Sequence, residues 1–168
     1  CCAAAACADA CAHADAPNHY GKGAADIASR DLRHYLGPCQ VVSVAVNRGE
    51  RIRPEHIRIE LETTRVLFHT RTFPDPTRWN EDFAALSPEL VEMLHEERVI
   101  TVGIDTPSVD LFADKELLAH HRILAHDMAI LEGLVLTDVP DGIYELIALP
   151  LPLVDFDASP VRAVLRTI

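Results

Sequence analysis

The sequence predicts a single α/β domain, a central mixed or barrel-like sheet flanked by a few helices, and three observations predict it. A strand, helix, strand order recurs between residues 65 and 105. Residues 40–46 are β-branched and almost continuously apolar, as a strand covered on both faces would be. The chain has 168 residues, 49% of them hydrophobic, enough to bury about two thirds of the surface its unfolded form exposes. No repeat and no Gly- or Ser-rich linker divides it, so residues 1–168 are expected to form one domain.

Along the chain, Pro17 sets a turn, and residues 31–36 read as a short helix or turn that ends in a loop at Gly37-Pro38. Residues 40–46 form the central strand and 65–70 a second. The Pro-rich stretch around Trp79 reads as a surface loop. Ser87 as N-cap and Pro88 at the first helical position open the clearest helix, 87–95, with apolar residues at helical spacing. Residues 99–105 follow as a strand whose carboxyl end carries Asp105-Thr106-Pro107-Ser108, a candidate wall for a ligand site. Residues 115–124 have helical composition, 129–134 form an apolar run, and 144–151 and 161–168 are strand candidates.

Composition excludes several classes. Fifteen Lys and Arg against 26 Asp and Glu leave a net charge of −11, with no basic run to neutralise phosphates, so nucleic acid is not an expected partner. No apolar stretch approaches the roughly 20 residues that cross a bilayer, and the start lacks the positive region of a secretory signal. A soluble, cytoplasmic protein is expected. Cys1, Cys2, Cys7, Cys11 and Cys39 make a poor disulfide framework, and their spacing fits no common thiolate zinc pattern. Residues 1–12 contain only Ala, Cys and Asp, an atypical start.

Three stretches carry candidate chemistry. In an extended strand Asp9, His13 and Asp15 share one face, and the turn at Pro17 can return His19 toward them. Imidazoles and carboxylates in that pattern suit a hydrolytic divalent metal site, although a His two residues before an Asp is also a common surface pair. His120-His121 reads equally as the polar end of a helix. Glu132, set among Ile130, Leu131 and Leu134, needs a partner if it is buried, either an Arg or a metal.

The segment His13-Ala14-Asp15-Ala16-Pro17-Asn18-His19-Tyr20 resembles the signature of the metal-dependent cyclase family. Within that family the chain is most similar to the bacterial kynurenine formamidases. Further segments carry the likeness: Tyr35 to Cys39, Gly103 to Ser108, Ala119 to Arg122, Ala129 to Leu134, Tyr144 to Leu151 and Ala158 to Ala163. The resemblance implies a swivelling β/β/α fold and hydrolysis of N-formylkynurenine to kynurenine and formate, in tryptophan degradation, by a homodimer. It also implies two divalent ions per subunit, zinc before manganese. His13, Asp15, His120 and Glu132 then correspond to metal ligands and His19 to the catalytic acid and base. Asp9 stands where the family has a further His, and the family's longer N-terminal region, with an aromatic residue over the substrate, is not represented in residues 1–12. Substrate-binding residues are not assigned. Two rival readings are an isatin hydrolase or other cyclic-amide hydrolase of the same family, and a metal-free relative without activity.

Overall fold

The computed structural model describes residues 11–168, so Asp9, Cys1, Cys2 and Cys7 lie outside the described residues. In chain order the strands are β1 (His13–Asp15), β2 (Leu36–Ser43), β3 (Arg51–Ile52), β4 (Arg65–His69) and β5 (Ala85–Leu86). Helix α1 (Pro88–Glu96), β6 (Thr101–Ile104), α2 (Leu118–Ala125), β7 (Ala129–Glu132), β8 (Gly142–Ile147), β9 (Ala158–Pro160) and β10 (Val164–Thr167) follow. Eight strands form one sheet in the order β10-β8-β2-β4-β6-β7-β1-β9, and β3 pairs with β5 in a two-stranded annex. The four middle strands β2, β4, β6 and β7 run parallel, while the flanks are antiparallel. The expected single α/β domain with a mixed sheet and few helices is therefore the one observed.

Both faces of the middle strands are covered, which is why those strands read as continuous apolar runs. On one face Val66, Phe68, Val102 and Ile104 pack against Leu90, Val91 and Leu94 of α1 and Ile123 of α2. On the other face the curled sheet encloses Tyr35, Val41, Leu67, Leu131 and Leu146 in a second core. Crowding there explains Gly103, where a Cβ would collide with Leu67 and Leu134. Helix α1 begins where its capping residues place it: Ser87 Oγ accepts a hydrogen bond from the Leu90 amide at 3.1 Å and so satisfies one of the free amides of the first turn.

Four local readings change. Gly37-Pro38 is not a loop but part of β2, paired antiparallel with Leu146 and Glu145. A proline fits there because β4 joins the strand only from Gln40 onward, so no second ladder requires its missing amide. Helix α2 starts at Leu118 rather than at residue 115. The strand expected over 161–168 is confined to β10. Strand β9, with its Pro160, was not expected; it is a three-residue edge strand, the position where a sheet tolerates proline. Cys11 is exposed and Cys39 buried, both as free thiols. No helix among the described residues is long and apolar enough to cross a membrane.

Candidate metal centre and its cavity

The register of β1 against β7 builds the centre. His13 lies directly opposite Glu132, with Ala14 opposite Leu131 and Asp15 opposite Ile130. Side chains alternate along a strand, so His13, Asp15 and Glu132 emerge on one face while Ala14 and Leu131 enter the second core. Gly133, at φ 65°, makes this approach possible: a Cβ there would lie 3.0 Å from the Cys11 carbonyl oxygen. Helix α2 then lowers His120 onto the same face. Asp15, Glu132 and His120 are each 3% exposed.

The two imidazoles address opposite sides of the two carboxylates. His13 Nε2 lies 3.5 Å from Asp15 Oδ1 and 3.1 Å from Glu132 Oε2. His120 Nε2 lies 3.7 Å from Asp15 Oδ2 and 3.6 Å from Glu132 Oε1. Each carboxylate therefore offers one oxygen to each histidine. Among the described residues no Arg reaches Glu132, which also accepts a hydrogen bond from the Val109 amide at 2.7 Å. Of the two partners foreseen for Glu132, the arrangement leaves a cation.

Electrostatics point the same way. Burial alone would lower the His13 pKa, but the hydrogen bond and charge of Glu132 and the charge of Asp15 outweigh it and raise the value to about 9. For His120 burial is again outweighed, by bonds to Asp110 and Asp15 and by the charge of Glu132, and the value rises to about 10. Two buried carboxylates demand positive charge, and protons on the imidazoles supply it when no metal is present. The donors suit a divalent metal: the ligand atoms of His13, Asp15 and Glu132 all lie within 4.8 Å of one another, and two imidazoles with two carboxylates match the preference of zinc or manganese.

Three histidines share one mode of anchoring. His13 Nδ1 donates to the Cys11 carbonyl at 2.8 Å, His120 Nδ1 to Asp110 Oδ2 at 2.8 Å, and His19 Nδ1 to Asp157 Oδ2 at 3.0 Å. A proton held at Nδ1 leaves Nε2 free, which for metal-binding histidines is how an outer partner sets the tautomer. His19 sits on the one-turn helix Pro17–His19, its ring centroid 6.4 Å from that of His120. The turn at Pro17 thus returns it to the same cavity, as the sequence suggested. Asp110 is itself fixed by the amides of Ala119 and His120 at 3.0 Å each and by Arg51 Nη1 at 2.8 Å. Burial opposes ionisation of Asp110, yet these donors hold its carboxyl well below the usual carboxylate range. His19 likewise keeps the Asp157 carboxyl below its ordinary value.

Sequence reasoning missed Asp110, Arg51 and Asp157. Asp157 lies 138 positions from His19, and no local pattern announces it. Asp110 had a faint signal, two residues beyond the tetrapeptide marked as a wall. That wall divides: Pro107 and Ser108 line the metal cavity, whereas Asp105 turns into a separate cavity of about 180 Å³ beside His69 and Arg71. His121 is exposed and does not line the cavity.

The cavity above the centre measures about 600 Å³, within the range of small-molecule sites. A model of the Cyclase family matches residues 4–111. The kynurenine formamidase of Bordetella petrii is 48% identical over 157 residues, 92% of this chain and 75% of that protein. The chain belongs to the cyclase family. The kynurenine formamidase of Bordetella pertussis is 50% identical over the same shares. Among solved structures, a potential metal-dependent hydrolase with cyclase activity superposes with a TM-score of 0.84 at 28% identity, over 94% of this chain and 78% of that one. Isatin hydrolase A from Labrenzia aggregata superposes at 0.75 with 22% identity, over 94% and 73%, a likeness of fold.

Proposed function

We propose that this cyclase-family chain is a metal-dependent arylformamidase that hydrolyses N-formylkynurenine to kynurenine and formate. The observation that carries the reading is the convergence of His13, Asp15, His120 and Glu132 from three remote stretches, with His19 lining the same cavity. Relatives named kynurenine formamidase at 48% and 50% identity support the substrate. The isatin likeness is at 22% identity and concerns the fold.

His13, Asp15, His120 and Glu132 would hold the metal. A divalent ion bound there would supply a nucleophile from water at neutral pH and would polarise the carbonyl oxygen. His19 performs the proton transfer: Asp157 fixes the proton at Nδ1, so Nε2 can take one from the attacking water and deliver it to the departing aniline nitrogen. A C–O bond forms at the formyl carbon as the C–N bond breaks. Without that proton the nitrogen leaves as a poor anion.

The split of carboxylate oxygens between His13 and His120 supports two ions per chain, read as zinc before manganese. Asp9, outside the described residues, is carried as a further ligand on the sequence resemblance alone. That resemblance also supports a homodimer in the cytoplasm and a place in tryptophan degradation; native mass spectrometry of the loaded protein checks both ion count and assembly. The decisive test is formate release. The wild-type chain releases it from N-formylkynurenine, and His19→Ala lowers kcat by about 10²–10⁴ with metal content unchanged. Full turnover by His19→Ala removes His19 from the scheme.

A further inference from the structure

The outer half of the cavity carries a second pattern, independent of the metal ligands. The chain is poor in aromatic residues, yet its single Trp and three of its five Phe gather in one cluster. Trp79 packs edge-on against Phe83 at 6.0 Å and against Phe112 at 5.9 Å between ring centroids, and Phe73 braces it from behind at 6.0 Å. Phe83 is buried, but Trp79 and Phe112 stay 45% and 43% exposed. All three line the metal cavity. Large apolar rings left open to solvent at a cavity wall gain by covering with another ring, and aromatic pairs contribute about 0.5–1.5 kcal/mol beyond burial.

One cation accompanies this wall. Lys115 is the only Lys or Arg among the described residues lining the cavity, and its Nζ stands 5.6 Å from the centre of the Phe112 ring. The neighbouring acids are engaged elsewhere: Arg51 binds both Asp110 and Asp114. Among the described residues Lys115 has no carboxylate partner. In a chain of net charge −11, an unpaired ammonium over an aromatic floor favours an anion in the outer half of this cavity.

We infer that Trp79, Phe83 and Phe112 form an aryl subsite and that Lys115 binds the α-carboxylate of an N-formylated aryl amino acid. This rests on the formamidase reading and deepens it, because it predicts that a formanilide bearing an amino-acid side chain is preferred to one without. The aryl wall serves both; Lys115 serves only the first.

The test compares N-formyl-L-kynurenine with ortho-formamidoacetophenone, which keeps the ring and the formamide but lacks the amino acid. Lys115→Met lowers the ratio of their kcat/KM values about tenfold, through KM for the first substrate, as loss of one charge-assisted bond implies. Lys115→Arg restores the ratio. An unchanged ratio overturns the assignment. A second arm does not depend on turnover: Trp79 is the sole tryptophan, so its fluorescence reports occupancy of the aryl wall. L-kynurenine quenches it saturably in the loaded protein, and Lys115→Met raises that Kd about tenfold relative to ortho-aminoacetophenone. Absence of saturable quenching overturns the subsite even if formate is released. Saturable, Lys115-dependent quenching without formate release upholds the subsite and sinks the formamidase reading instead.

Discussion

Two buried carboxylate clusters occupy this sheet, and they are built on opposite principles. At the carboxyl ends of β4 and β6, Asp105 is 6% exposed and accepts three close hydrogen bonds: from the Thr70 amide at 2.9 Å, the Thr70 hydroxyl at 2.7 Å and the Arg71 amide at 2.8 Å. Between β1, β7 and α2, Asp15 is buried as deeply, but its polar neighbours are the imidazoles at 3.5 and 3.7 Å. Among the described residues no backbone amide or hydroxyl donates to it. A carboxylate satisfied by fixed neutral donors is a structural knot, whereas one left facing imidazoles is a socket for a cation. The difference teaches where the chemistry lies, since burial and residue type are alike in the two places.

Substitutions that treat the clusters alike should give unlike results. The largest effect belongs to the socket: Asp15→Asn or Glu132→Gln lowers retained divalent metal, measured by elemental analysis, and cuts formate release by at least about a hundredfold. If either variant kept full metal and turnover, the socket would be a second knot. Next comes pH. In the metal-free protein the folded pKa values of His13 and His120, about 9 and about 10, stand above the ordinary value near 6.5. Their contribution is fully present below about pH 6.5 and is lost as pH rises through both values, on the order of a few kcal/mol. Denaturant titrations from pH 6 to 10 should show that loss in the metal-free protein and little of it in the loaded one, whose liganding imidazoles carry no extra proton.

Asp110→Asn, which disturbs the anchor of His120, should weaken metal affinity about 10–100-fold in a competition titration and leave β-sheet structure intact. In the knot, Asp105→Asn should cost about 2 kcal/mol of unfolding free energy with metal content unchanged. The smallest change, Thr70→Val, removes one donor to Asp105 and should cost about 1 kcal/mol in the same measurement. Metal loss in either knot variant would erase the distinction between the clusters.

The socket was legible in part. His13 and Asp15 were placed together by the two-residue period of a strand, and Glu132 was marked by the cost of a lone carboxylate in an apolar run. His120 was ambiguous: the sequence allowed the polar end of a helix, whereas it lies buried in the first turn of α2, because local spacing does not say which face of a helix meets the sheet. The knot was misread: Asp105 was grouped with Pro107 and Ser108 as one wall, yet the strand's alternation and the bend after β6 send them to different cavities. Pro38 misled in the same way, since whether a proline breaks a strand depends on which neighbour that strand has at that point.

By itself the sequence determined the α/β class, the central strands, helix α1 and the ligand chemistry on offer, because these depend on residues within a few positions of one another. The tertiary structure alone decided which carboxylate oxygen meets which imidazole, and that Cys11, Asp110 and Asp157 hold the three Nδ1 protons. Three of those contacts, His13 to Glu132, His120 to Asp15 and His19 to Asp157, join stretches far apart in the chain, and tertiary packing and strand register, not local periodicity, bring them together.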